Sequence, residues 1–311
     1  MGIIIWGSAI AVGIALLVIF GDKLSDKIVE VAKKAGVSPL VISLVIISFA
    51  TTLPEITTSA LASFEGAEGI ALGNALGSIF ANIALILGLA SVIRPLKAGE
   101  GAYENSLAML LSLGLAMLLS LDGVLSRLDG VILLIAYGVY LRWLYRRHVK
   151  PGKGNVSGGK MKATPMDYAL LLIYGGLMVV GARMVVFGGK SIAETLSVPE
   201  YVIGATIVAI GTSLPEMTNA LYGAVRERGS ISVGNIIGAN IMNALVVLGI
   251  ASIIRPLPTG ASTITVLLVL LVMIPMIASL KRNQGLGKGI GTYFLLLYAI
   301  YLYLLFSGAR L

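Results

Sequence analysis

Long apolar stretches follow one another from end to end of the chain, each near the ~20 residues that an α-helix needs to cross ~30 Å of hydrocarbon. Ten can be marked, at 3–20, 40–63, 70–92, 104–121, 128–145, 166–187, 201–224, 231–253, 261–280 and 289–307. Glycine and proline interrupt several of them and blur their limits by a few residues. The pattern predicts an all-α membrane protein of about ten transmembrane helices. The first stretch has the length of a signal peptide but lacks a basic leader and an A-x-A cleavage site, so it is counted as a span.

Charge sets the sides. Only 12% of the 311 residues are charged, where soluble domains carry about 25%. With the breaks numbered alternately, one side receives Lys23, Lys27, Lys33, Lys34, Arg94, Lys97, the 142–162 cluster, Arg226, Arg228, Lys281, Arg282 and Lys288. These are 18 of the 23 Lys and Arg residues. Arg127, Arg183, Lys190, Arg255 and Arg310 fall on the other. The positive-inside rule places both termini outside and the 146–165 linker in the cytoplasm of a cell-membrane protein. Nine or eleven crossings would scramble this split. The net charge of +8 thus reads as orientation in a lipid bilayer and not as nucleic-acid binding. The linker, rich in Gly, Lys and Pro, reads as a flexible tether. Glu65, Glu68 and Glu227 fall in short loops and read as solvated, and Arg183 as snorkelling to the interface.

A shift of 161 residues aligns 40–96 with 201–257 without a gap, giving 21 identities. T-x-L-P-E (51–55 and 212–216), G-N-x-x-G (73–77 and 234–238) and I-R-P-L (93–96 and 254–257) match outright. The chain therefore reads as a first five-helix repeat at 1–148, a linker at 149–164 and a second repeat at 165–311. Five crossings per half invert the second repeat relative to the first, the arrangement of secondary transporters with a site at mid-membrane.

Chemistry concentrates in the repeated blocks. Ser48, Thr51, Thr52 and Glu55 follow i, i+3, i+4, i+7 spacing, so their oxygens share one helical face. Pro54 frees a backbone carbonyl and kinks that helix. A charged Glu at such depth costs several kcal/mol unless paired or hydrated. Ala209, Gly211, Thr212, Ser213, Pro215 and Glu216 repeat the arrangement. The next helix of each half carries amides, at Asn74, Ser78 and Asn82, and at Asn235, Ala239 and Asn243, beside a G-x-x-x-G packing face. The alternative for the asparagines is helix–helix adhesion. Oxygen ligands without soft donors favour Na⁺, Ca²⁺, Mg²⁺ or Mn²⁺. Two carboxylates are neutralised equally by one divalent ion, two Na⁺ or two protons, and this equivalence is a basis for exchange. With no cysteine and with His148, the one histidine, outside the spans, an intramembrane enzyme or haem site lacks its residues. A channel would more naturally use parallel subunits around a pore.

The paired blocks Thr51-Thr-Leu-Pro-Glu55 and Gly211-Thr-Ser-Leu-Pro-Glu216, each followed by G-N-x-x-G, resemble the α-repeats of the cation/Ca²⁺ antiporter superfamily. The whole is most like a prokaryotic Na⁺/Ca²⁺ exchanger. The resemblance implies Ca²⁺ for Na⁺ antiport by alternating access, with no cofactor, by a monomer whose first and sixth spans slide as a gate. It assigns Ca²⁺ carboxylates to Glu55 and Glu216 and carbonyl or hydroxyl ligands to Ser48, Thr51, Thr52, Ser78, Ala209, Thr212 and Ser213. It assigns the amide to Asn82, with Asn243 opposite. The family pattern often has Asp at the position of Asn243 and Ser at that of Ala239, so a charge and an oxygen are lost. A proton-coupled exchanger of Ca²⁺ or another divalent cation is the alternative, although such relatives usually carry Glu where this chain has Gly77 and Gly238.

Overall fold

In the computed structural model the described residues are 2–34, 49, 51–99, 101–148, 164–227 and 229–308. Ser48, Ala50, the first part of the predicted 40–63 span and nearly all of the linker lie outside them. The helices are α1 (Gly2–Lys34), α2 (Leu53–Phe64), α3 (Glu68–Ile93), α4 (Ala102–Leu119), α5 (Arg127–His148), α6 (Pro165–Leu196), α7 (Glu200–Thr212), α8 (Leu214–Val225), α9 (Gly229–Ile254), α10 (Thr263–Asn283) and α11 (Lys288–Gly308). Four two-residue strands, β1 (Leu96–Lys97), β2 (Val124–Leu125), β3 (Leu257–Pro258) and β4 (Gly285–Leu286), lie between them. Eight helices, α1, α3, α4, α5, α6, α9, α10 and α11, are long and apolar enough to cross a membrane.

Two expectations change. The first span does not stop at Phe20, because α1 runs on to Lys34. Leu24, Ile28 and Val31 continue an i, i+4, i+7 stripe through the charges that end the hydropathy signal. Lys27 there meets Asp167 at 3.3 Å, and Asp167 closes a capping box with Thr164 at the start of α6. The 201–224 stretch is likewise two helices, α7 and α8, joined at Ser213.

Burial ranks the helices. In α3 and α9 the most apolar window is 78% and 83% buried, against 17–39% in the other six long helices. Small residues make this core tight. A Cβ on Gly73 of α3 would lie 2.5 Å from the Tyr201 carbonyl oxygen, and one on Gly77 2.6 Å from Ala205. Backbones of the two halves thus touch directly. At the periphery α1 packs on α6, where a Cβ on Gly13 would lie 2.6 Å from the Gly181 carbonyl oxygen.

The shift of 161 residues holds beyond the aligned blocks. It carries Leu53, Glu68, Ala102, Val124 and Arg127, the first residues of α2, α3, α4, β2 and α5, onto Leu214, Gly229, Thr263, Gly285 and Lys288, the first residues of their counterparts. The strands pair across the halves in the same scheme, Leu96 opposite Leu286 and Leu125 opposite Leu257. Each I-R-P-L block therefore supplies a strand residue and an arginine to the other half. Arg94 meets Glu227 at 2.7 Å and Arg255 meets Glu68 at 3.1 Å, while Arg183 meets Glu65 at 3.2 Å. The glutamates expected to be solvated are paired, and Arg183 has a partner, because packing brings distant loops within reach. Such exposed pairs contribute about 0–1 kcal/mol each, so they orient more than they stabilise.

Gly73→Leu should lower the melting temperature of the purified protein, since overpacking of this kind costs about 1–3 kcal/mol. Gly138→Ala, where nothing lies within 4 Å of the added Cβ, should leave the same thermal-shift curve unchanged.

Candidate cation site

α2 and α8 start at the same point of each repeat. Thr52 (φ −89°, ψ 3°) and Ser213 (φ −85°, ψ 11°) precede their first turns, and Pro54 and Pro215 occupy positions where an intrahelical N–H is not needed. Glu55 and Glu216 follow in the first turn, at the positive end of the helix. The helical face that the spacing predicted is therefore interrupted at Thr52, as its counterpart is at Ser213. The break falls between the hydroxyls and the carboxylate, and their pairing runs across the halves.

Ser213 donates to Glu55 Oε1 at 3.0 Å and lies 3.1 Å from Ser78 Oγ. Thr212 stands beside Glu55, and Thr51 beside Glu216. Thr212 also donates to Asn74 Oδ1 at 2.9 Å. Asn74 in turn donates to Ser59 Oγ at 2.9 Å and approaches the Glu55 carbonyl at 3.4 Å. The Ala209 carbonyl accepts the Ser213 N–H at 3.1 Å and faces Ser78 Oγ at 3.5 Å. The two carboxyl groups are close enough for direct Coulomb interaction. Glu55, Glu216, Thr52, Thr212, Ser213, Ser78, Asn82, Asn243 and Ala209 are all buried, and Thr51 is half-buried. Of the predicted positions only Ser48 lies outside the described residues.

Two features escaped the sequence. Asn82 and Asn243 each open a π-helical segment, Asn82–Leu87 and Asn243–Val247, within otherwise regular helices. The first packs against α8, which carries Glu216, and the second against α2, which carries Glu55. Asn240 is the other, a buried amide that accepts from Asn82 Nδ2 at 2.8 Å. Its repeat counterpart is Ile79, so a search for identities passes over it.

Glu55 Oε2, both carboxyl oxygens of Glu216, Asn82 Oδ1 and Asn243 Oδ1 are buried with no hydrogen-bond partner among the described residues. These five oxygens come from two repeat-related pairs. An unsatisfied buried polar atom costs about 1–3 kcal/mol, and more when charged. Among the described residues no cluster of three acidic, histidine or cysteine side chains forms. Oxygens of this kind suit a hard cation. A cavity of about 280 Å³ lined by Arg94, Lys97, Glu227 and Gly229 lies at the end of α3, away from the carboxylates.

The profile of the sodium/calcium exchanger protein family matches residues 6–146 and 166–307. The chain belongs to the sodium/calcium exchanger family. The two matched blocks leave out the linker and cover both repeats. An uncharacterized membrane protein of Methanocaldococcus jannaschii is 38% identical over 274 residues, covering 87% of this chain and 88% of its own. The sodium/calcium exchanger MaX1 of Methanosarcina acetivorans is 29% identical over 325 residues, covering 88% and 92%. The structure of the sodium-calcium exchanger NCX_Mj soaked with Na⁺ and Sr²⁺ superposes with a TM-score of 0.67 at 33% identity, covering 97% of this chain and 98% of that one. This exchanger-family chain is thus a membrane transporter and not an enzyme.

The asparagines of G-N-x-x-G differ in their surroundings. Asn74 satisfies three groups, whereas Asn235 is half-buried with an Nδ2 that is unpaired among the described residues. Asn74→Leu should therefore lower the thermal midpoint clearly more than Asn235→Leu, by the ~1–3 kcal/mol that stranded partners cost.

Proposed function

We propose that the protein exchanges Ca²⁺ for Na⁺ by alternating access, with Glu55 and Glu216 holding the ion between two inverted repeats of five crossings. The observation that carries this reading is the set of five unpaired buried oxygens on Glu55, Glu216, Asn82 and Asn243. Membership of the exchanger family and the printed activities of MaX1 and NCX_Mj support it. Ten crossings arise when α7–α8 and the segment ending in α2 are each counted beside the eight long helices. The cross-paired strands support the inversion. β1 and β4 fall at one membrane face and β2 and β3 at the other only if each half crosses an odd number of times. With the charge asymmetry, this topology has both termini outside and the linker in the cytoplasm.

Each proposed ligand has a physical role. The carboxylates provide a charge of −2, which one Ca²⁺ or two Na⁺ neutralise. Thr51, Thr52, Ser48, Ser78, Thr212, Ser213 and the Ala209 carbonyl supply neutral oxygens, and Asn82 and Asn243 supply amide oxygens. An empty pair of bare carboxylates is too costly to carry across hydrocarbon, so loaded forms are the ones that switch. α1 and α6 pack chiefly against each other, and 17% and 28% of their apolar windows are buried. They suit the sliding unit, while α3 and α9 remain fixed. A monomer suffices, because both halves of the site come from one chain.

Purified protein in lipid vesicles should take up radioactive Ca²⁺ when an outward Na⁺ gradient is imposed, and Glu55→Gln or Glu216→Gln should abolish the uptake. Uptake driven by a pH gradient and indifferent to Na⁺ would make protons the coupling ion. Asn243→Asp, which restores a third carboxylate, should change the Na⁺ dependence more than the Ca²⁺ affinity.

A further inference from the structure

A chain of three amides fixes which end of Asn82 faces the ion. Asn240 Nδ2 lies 3.3 Å from the carbonyl oxygen of Ile79, one turn before Asn82 on α3. A carbonyl only accepts, so the Asn240 amino group must point to it. The Asn240 oxygen then points to Asn82, 2.8 Å away, and can only accept. The Asn82 amino group must therefore be the donor, and Asn82 Oδ1 is left facing away from Asn240, buried and without a partner among the described residues. Asn82, Asn240 and Ile79 are buried, so water does not compete for these bonds.

The second half lacks this device. The shift of 161 residues places Ile79 where Asn240 stands, and an isoleucine side chain holds no amide. Asn243, the counterpart of Asn82, has both its Nδ2 and its Oδ1 unpaired among the described residues. The pairs Glu55/Glu216 and Asn82/Asn243 are symmetric in composition, but only one of the two amides is held.

We infer that Asn240 is a positioning residue for the exchange reaction, which presets Asn82 with its oxygen toward the cation while Asn243 is free to turn. This rests on the cation-site reading of the preceding section. The ion then meets one amide oxygen already aimed, at no orientational cost, and a second whose orientation must be fixed on binding. Asn240 does not touch the ion. Partners that orient ligands in this way typically contribute about 10–100-fold in affinity.

The test is the Ca²⁺ dependence of uptake by the full chain in vesicles under a fixed outward Na⁺ gradient. Asn240→Leu, close in shape but without an amide, should raise the half-saturating Ca²⁺ concentration about 10-fold. Asn240→Asp, whose protonated carboxyl keeps a donor toward Ile79 and an acceptor toward Asn82, should return it near the wild-type value. A simple packing role predicts no such split between the two variants. In an Asn82→Ala background Asn240→Leu should add no further shift, whereas in an Asn243→Ala background the full shift should appear. The inference is overturned if Asn82→Ala weakens Ca²⁺ dependence while Asn240→Leu does not. The same holds if the Asn240→Leu shift is equal in both backgrounds. If neither Glu55→Gln nor Asn82→Ala changes uptake, the cation site itself is wrong and the role of Asn240 falls with it.

Discussion

Two carboxyl groups held deep in an apolar bundle, with more acceptor oxygens than donors around them, impose the constraint on which the rest depends. Ser213 serves one oxygen of Glu55, and the remaining three carboxyl oxygens of the pair have no hydrogen bond among the described residues. In hydrocarbon such groups are stable only when something positive joins them. Much of the remaining architecture can be read as holding them in place. The helix breaks at Thr52 and Ser213 set each glutamate in a first turn, and Asn74 ties α2 to α3 and to Thr212.

Burial divides the fold into a centre, α3 and α9, and a periphery that includes α1 and α6. α3 and α9 carry amides and π segments at the centre and interlock through glycine with backbone of the other half. The strand pairs and the Arg94 and Arg255 ion pairs join the halves near the ends of these helices. α1 and α6 lie outside this framework. They cross at Gly13 and Gly181, where the two backbones come into close contact.

Duplication explains the economy of the site and also its departures from symmetry. Ser78 has no hydroxyl counterpart at Ala239, and Asn240 has no amide counterpart at Ile79. Both differences favour the first-half side of the site, where Asn82 is held by a hydrogen bond that Asn243 lacks among the described residues.

The sequence by itself determined the membrane-spanning class, the repeat, the two glutamates and the family resemblance. Each depends on local hydropathy or on identity at a fixed spacing, and both are written along the chain. It misjudged the end of α1, because charges that stop a hydropathy reading do not stop a helix. It read Thr51 to Glu55 as one helical face and missed the break at Thr52. The cross-half bonds of Ser213, the pairing of Glu65, Glu68 and Glu227, and the hydrogen bond between Asn82 and Asn240 were decided only by the tertiary structure. Those interactions join residues 118 to 187 positions apart, and no local period or repeat identity encodes which distant side chain a buried polar atom will meet.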